Sequence, residues 1–216
     1  MIDSSPTDKT AMSNEQILSI VQELSGIGQV VKLDSNRSLD LNKPDTVYLV
    51  TAGYIDVFAV KSVGGDSQGP RMNIIRADSG SLILGLLSDD KSSDIGFIGV
   101  SGAKTELLEF RLKDLMALVQ GSENKTLLVS LVDDWIKGLQ ACLCPKLGQK
   151  PVSFQEIKSG AAQKIDPETV LGARHGLFWV SNPDAAWSFL GQSDLGDVSR
   201  KRTLPITKYS WVVVDE

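Results

Sequence analysis

Imidazole is nearly absent from this sequence: His175 is the one histidine among 216 residues. A small barrel that holds a metal through its side chains usually needs two or three imidazoles. A Ser-His-Asp hydrolase would need His175 beside a nucleophile, and no G-x-S-x-G stretch supplies one. In ARHGLFW the histidine reads as a turn residue before Gly176 and the strand LFWV. Cysteine is almost as scarce. Cys142 and Cys144 form a C-x-C pair, one residue short of redox spacing, with no third cysteine to build a zinc site. They read as reduced, partly buried small side chains. Long apolar runs are missing as well, none approaching the roughly 20 residues of a membrane span. The N-terminus MIDSSPTDKTAMS is polar and lacks the apolar centre of a secretory signal, so residues 1–12 read as a loose lead-in. A cytoplasmic location is the resulting expectation. The 22 basic residues are outnumbered by 27 acidic ones, a net charge of -5 that argues against nucleic-acid or anionic-membrane partners.

What is present is patterned. Ser13-Asn14-Glu15-Gln16 opens a helix with a capping box, Ile17, Leu18, Val21 and Leu24 follow at helical spacing, and Gly26 stops it. From Gln29 to Phe110 the period changes to that of short strands: QVVKLD, DTVYLVTAG, YIDVFAVKS, MNIIRAD, SLILGLL, DIGFIGV and TELLEFRL. Turn signals such as Asn42-Lys43-Pro44, Ala52-Gly53 and Asp78-Ser79-Gly80 separate them, the signature of an all-β barrel or sandwich. RLKDLMALVQG then reads as a short helix ending at Gly121. SENKTLLVSLVDDWIKGLQACLCP reads as a longer one ended by Pro145, with Leu128, Leu131, Trp135 and Leu139 on its apolar stripe. After KLGQKP, strand character returns in PVSFQEIKSG, ETVLGARHG, LFWVSNP, AWSFLG, TLPIT and SWVVVDE. The expectation is a mainly β chain with flanking helices. It divides into 13–120 as helix plus barrel, 121–150 as helical connector and 151–216 as a smaller β-rich lobe.

Two motifs come close to chemistry and miss it. In IGFIGVSGAKTELL a strand-like run leads into Gly102-Ala103-Lys104-Thr105, but a phosphate-cradling loop needs Gly and Lys contiguous and a helix behind them. Ala103 intervenes and ELLEFRL reads as a strand, so the segment is expected to be a hairpin turn. Arg200-Lys201-Arg202 is a basic cluster of three, expected to be a solvated loop before TLPIT.

The order of helix, barrel strands and helices, with DTVYLVTAGYIDVFAV inside it, resembles a cyclic nucleotide-binding domain. That resemblance implies an eight-stranded roll, with this stretch as paired third and fourth strands. ADSGSLILGLLS then falls at the family's phosphate-binding cassette. There the family carries Phe-Gly-Glu, a short helix and an Arg beside a small residue, the Glu for the ribose hydroxyl and the Arg for the cyclic phosphate. Gly85 fits the glycine, but Leu84 replaces the aromatic and Leu86 the glutamate. SSDIGFIGV carries Asp94 and no arginine, and the nearest basic residues are Lys91 and Lys104. A buried anion without a basic partner is costly, so neither cAMP nor cGMP is expected to bind. Gly80, Ser81, Leu84, Gly85, Leu86 and Lys91 are what remains of the cassette.

A narrower resemblance rests on V-x-x-G-x-I-D-V-F-A-V with a later V-D-x-W-I, LFWVSN, SFLG, LPIT and SWVVV. Together these are similar to the N-terminal regions of NHLM-type bacteriocin-export ABC transporters, where a degenerate roll and a second small β region precede the membrane and ATPase domains. The resemblance implies a non-catalytic regulatory or recognition module, excised or stand-alone, without cofactor or metal. It implies a leader peptide or the transporter's membrane and ATPase parts as partners, and a cytoplasmic place tethered through the transporter. In the groove between the lobes Trp179, Trp187 and Trp211 would be aromatic anchors, with core packing the favoured alternative for tryptophan. The rival function is a small-ligand sensor whose roll pocket is lined by Ile83, Leu84, Leu86 and Leu87.

Overall fold

The computed structural model describes residues 14–63, 66–86, 95–160, 164–181, 187–192 and 203–214. The lead-in, the Ser13 capping box, Leu87, Lys91, Asp94 and the Arg200-Lys201-Arg202 cluster lie outside them. The described residues are mainly β with three helices, and the chain divides into two compact units, Met1–Leu131 and Val132–Glu216.

The first unit opens with helix α1 (Asn14–Ser25). Its buried face is Ile20 and Leu24; Leu18, expected on that face, is 61% exposed. The Leu24 carbonyl accepts from the Ile27 and Gly28 amides and closes the helix. Eight strands follow: β1 (Gln29–Leu33), β2 (Ser38–Asp40), β3 (Thr46–Ala52), β4 (Tyr54–Val63), β5 (Asp66–Asp78), β6 (Leu82–Leu84), β7 (Ile95–Ser101) and β8 (Thr105–Arg111). They form two antiparallel four-stranded sheets in the orders β1-β8-β3-β6 and β2-β7-β4-β5. Two sheets exchanging successive strands in this way make a double-Greek-key roll, the arrangement implied by the resemblance to cyclic nucleotide-binding domains. In β3 the four consecutive residues Val47, Tyr48, Leu49 and Val50 are all buried, so this strand is covered on both faces.

Three expectations are corrected here. β3 and β4 do not pair: β3 bonds to β6 and β8, while β4 bonds to β5 and β7. The Ala52-Gly53 corner therefore carries the chain from one sheet to the other. Gly53 has φ +72°, and a Cβ there would meet Thr105 Oγ1 at 2.7 Å. Ser101-Gly102 is likewise a crossing between sheets and not a hairpin, because β7 and β8 bond to different neighbours. Finally, β2 was not anticipated, since only Leu39 marks three residues as strand. Asn42 extends its ladder with a side chain: Oδ1 accepts from the Phe97 amide at 2.8 Å and Nδ2 donates to the Phe97 carbonyl at 3.2 Å.

Helix α2 (Leu112–Gly121) follows β8 and buries Leu115. Helix α3 runs Lys125–Leu147, so Pro145 does not end it but sits in its last turn. Proline there removes one i→i−4 bond with almost no helix beyond it to break, and Gly148 N–H still reaches the Cys144 carbonyl.

The second unit holds β9 (Gln155–Glu156), β10 (Val170–Gly172), β11 (Leu177–Ser181), β12 (Trp187–Phe189), β13 (Thr203–Thr207) and β14 (Trp211–Val214). They form a four-stranded sheet, β12-β14-β10-β9, and a two-stranded ribbon, β11-β13. Its core is Leu171, Ala173, Trp187, Ile206, Val212 and Val214. Gln140 of α3 ties in a buried polar knot: Nε2 donates to the Pro205 carbonyl, while Oε1 accepts from Thr207 and Ser210 hydroxyls at 2.7 and 2.8 Å.

Candidate functional site

The cassette position spans the turn before β6, β6 itself and the two residues behind it. Gly80, at φ +86°, donates its N–H to the Val50 carbonyl, and Ser81 donates to the Asp78 carbonyl. Leu82, Ile83 and Leu84 are rungs against Leu49, Tyr48 and Val47 of β3. Gly85 donates to Thr46 and Leu86 to Leu41, at 2.9 and 2.7 Å. The four amides of Gly80, Ser81, Gly85 and Leu86 are thus all engaged with carbonyls, leaving no nest for an anion. Residues 80–86 read GSLILGL and carry no charge. Gly85 is needed for contact, because a Cβ there would lie 1.9 Å from the Lys43 carbonyl oxygen. Ile83 is fully buried, so it belongs to the packed interior and not to a pocket wall. Lys104 stands exposed in the turn before β8, with φ +52°.

Close to this position, an open cleft of about 790 Å³ runs along residues 42–46, 27–29, 109–111 and Asp114. Lys43 and Arg111 oppose Asp45, Glu109 and Asp114 along its walls. Charge of both signs gives no field that would gather phosphates. The cleft draws on four separated segments with no shared motif, so nothing in the sequence announces it. On β3 the Tyr48 hydroxyl is pushed up to about 12, by burial first and then by Glu109 and Asp40.

In the second unit the three expected tryptophans separate. Trp187 is 7% exposed and packs in the main cluster; Trp211 is 4% exposed and packs with Cys144 and Leu190. Both take the packing role, and neither offers a face to a partner. Trp179 is 50% exposed. It lies on β11 opposite Pro205 of β13, while its neighbours Phe178 and Val180 turn toward the core. The aspartate of the V-D-x-W-I stretch, Asp133 of α3, has no role assigned from sequence. Asp133 Oδ1 is buried without a hydrogen-bond partner. Burial pushes its carboxyl above the usual range, opposed by the N–H of the Trp179 indole and by the charge of Lys137.

His175 is exposed in the loop before β11. Next to it Arg174 pairs with Glu156 at 3.3 Å. Lys150 donates to the Ala173 carbonyl at 2.6 Å and lies over the Phe154 ring at 4.1 Å, so its role is packing. Among the described residues no three His, Cys, Asp or Glu side chains gather to hold a metal, and no helix is long and apolar enough to cross a membrane.

No protein-family model matches the chain, and neither does any curated protein. Likeness is found among solved structures. Oxidized CprK in complex with o-chlorophenolacetic acid is 12% identical with a TM-score of 0.41, over 52% of this chain and 44% of that one. The imidazole-bound CO-dependent transcription factor CooA from Carboxydothermus hydrogenoformans is 12% identical, TM-score 0.44, over 63% and 60%. The heme domain of CooA from the same organism is 12% identical, TM-score 0.44, over 62% and 96%. The chain spans about half the length of the CprK chain. These are partial likenesses of shape, and the roll described above rests on strand order and register.

Proposed function

We propose that this chain is a non-catalytic recognition module that takes a peptide, in the setting of a leader-peptide-reading part of a bacteriocin-export ABC transporter on its cytoplasmic side. The observation that carries the reading is the engagement of all four cassette amides with carbonyls, in a stretch without charge. Residues 80–86 so arranged offer a cyclic phosphate neither a free amide among those four nor a charge, which supports a role other than nucleotide binding. The half-exposed Trp179 supplies the complementary support, since an ordered aromatic at a surface is a common anchor for a partner. The transporter setting draws only on the sequence resemblance, and the lone exposed histidine adds nothing toward catalysis.

A small-ligand sensor is the second reading, favoured by the 790 Å³ cleft. One pair of assays separates the two. Immobilised synthetic leader peptides are expected to retain the chain, and the Trp179→Ala variant is expected to be retained poorly. Thermal-shift titration with cAMP, cGMP and lipids is expected to leave the melting temperature unchanged. A shift with a small molecule and no retention on any peptide would reverse the assignment.

A further inference from the structure

We infer that the outer edge of β11 is a strand-addition site, where the bound peptide lies extended as the next strand with an aromatic or β-branched side chain opposite Trp179. The inference rests on the recognition reading above and names the conformation and chemistry of its ligand.

The register of the ribbon fixes which way the backbone of β11 points. Opposed residues in an antiparallel pair alternate between those that exchange hydrogen bonds and those that do not. Pro205, opposite Trp179, has no N–H to give, and its carbonyl accepts from Gln140 Nε2 at 2.7 Å. Thr207, opposite Leu177, donates its N–H to Ser210 Oγ at 2.9 Å, and its carbonyl accepts from the Ser210 N–H at 3.2 Å. Both residues are turned away from β11, so the rungs that bond are Phe178–Ile206 and Val180–Leu204. The backbone N–H and C=O groups of Leu177, Trp179 and Ser181 therefore face the other edge, where no described residue pairs with them.

The two edges of the ribbon differ. That of β13 is closed by its proline and by Gln140 and Ser210. That of β11 has none of the devices that keep an edge from pairing: LFWVS carries no charge and no proline, and its rungs run without a bulge. By contrast the edge strand β5 contains Pro70 and shifts register against β4, and β1 carries Lys32.

Length selects the occupant. A strand of this size spans about 17 Å, too little to bury alone the roughly 1,200 Å² with which stable interfaces between folded chains begin. A second copy joined edge to edge is therefore disfavoured. A short extended segment needs only the backbone ladder and a side-chain contact. Its alternate side chains fall on the face that carries the half-exposed Trp179, and aromatic or β-branched partners suit that ring.

The test uses the full chain and the blocked heptapeptide threonine-valine-threonine-tyrosine-threonine-valine-threonine. One N-methylated form blocks the tyrosine and valine amides, which would face β11; the other blocks the two inner threonine amides, which would face away. Amide hydrogen exchange is read by NMR. The parent peptide is expected to slow exchange at Leu177, Trp179 and Ser181 and to leave Phe178 and Val180, already bonded to β13, unchanged. Methylation of the tyrosine and valine amides is expected to weaken binding about tenfold or more, and methylation of the inner threonines to leave it within about twofold. Equal affinity of the two methylated forms, with Trp179 still perturbed, would overturn strand addition and leave peptide recognition standing. Amides of β11 unmoved by the heptapeptide would also overturn strand addition, and recognition would fall with it only if leader peptides were not retained either. A concentration-dependent dimer that protects the same amides without peptide would assign the edge to a second copy and overturn the proposal.

Discussion

Burial favours the protonated form of a carboxyl, and Asp133, with its Oδ1 buried, is such a group even though the Trp179 indole N–H opposes the shift. Its folded pKa lies above the unfolded value, so the folded state holds the proton more tightly. The stability this lends is fully present below the unfolded carboxylate pKa of about 4, and it is lost as pH rises through the raised folded value. The charged groups acting on Asp133 are Lys137 and Asp134 of its own helix, with the Trp179 indole from β11. Asp133→Asn is therefore expected to melt at a higher temperature than the wild type at pH 7, with the two curves converging below pH 4. Circular-dichroism melts at both pH values check this, and coincident melts at pH 7 would count against a buried charge. A residue that lowers stability at neutral pH is where a functional constraint is expected. The motif V-D-x-W-I contains this aspartate but gives it no role, because burial of its Oδ1 comes only with packing. The tryptophans were separable in part. In LFWVS the alternation puts Trp179 on the face opposite Phe178 and Val180, whereas WVVV has no alternation and fits a strand covered on both faces. Which face of β11 met solvent had to come from the fold. For the cysteines, two residues apart on a helix is roughly 200° of rotation. Cys144 accordingly points into the core, its thiol pushed up to about 11 by burial, and Cys142 is half-buried on another side.

Among the elements, β6 is held entirely by internal bonds. Its rungs to β3 and the flanking amides of Gly80, Ser81, Gly85 and Leu86 are all internal. Gly85 seats this segment against the Asn42-Lys43-Pro44 turn. Gly85→Ala places a methyl where the Lys43 carbonyl lies, and backbone cannot rotate away as a side chain can. The expected loss is about 3 kcal/mol, at the upper end of overpacking costs, read from denaturant unfolding; a loss within measurement error would mean that the turn yields. The strands of the roll were legible because period two and Gly, Asn and Asp punctuation coincide over Gln29 to Phe110. Their partners were not. A glycine corner looks the same in sequence whether the chain folds back beside itself or passes to the opposite sheet, and Gly53 does the second. α3 outran its expected end because a proline in a last turn removes a single bond, a loss the remaining 23-residue helix absorbs.

At the scale of the molecule, two compact units carry unlike architectures: a double-Greek-key roll and a smaller mixed sheet with a two-stranded ribbon. The roll was readable from composition, strand spacing and resemblance. Exposed Trp179 was half readable, as one of three tryptophans in a β-rich lobe without a named surface. On the proposed reading, recognition belongs to the second unit while the cassette position is structural. Hydrogen–deuterium exchange of the full chain, with and without a synthetic leader peptide or cAMP, tests it directly. The expected result is slowed exchange over residues 177–181 with the peptide, none over 80–86, and no change anywhere with cAMP. Protection of residues 80–86 by either ligand, with 177–181 unaffected, would contradict the account.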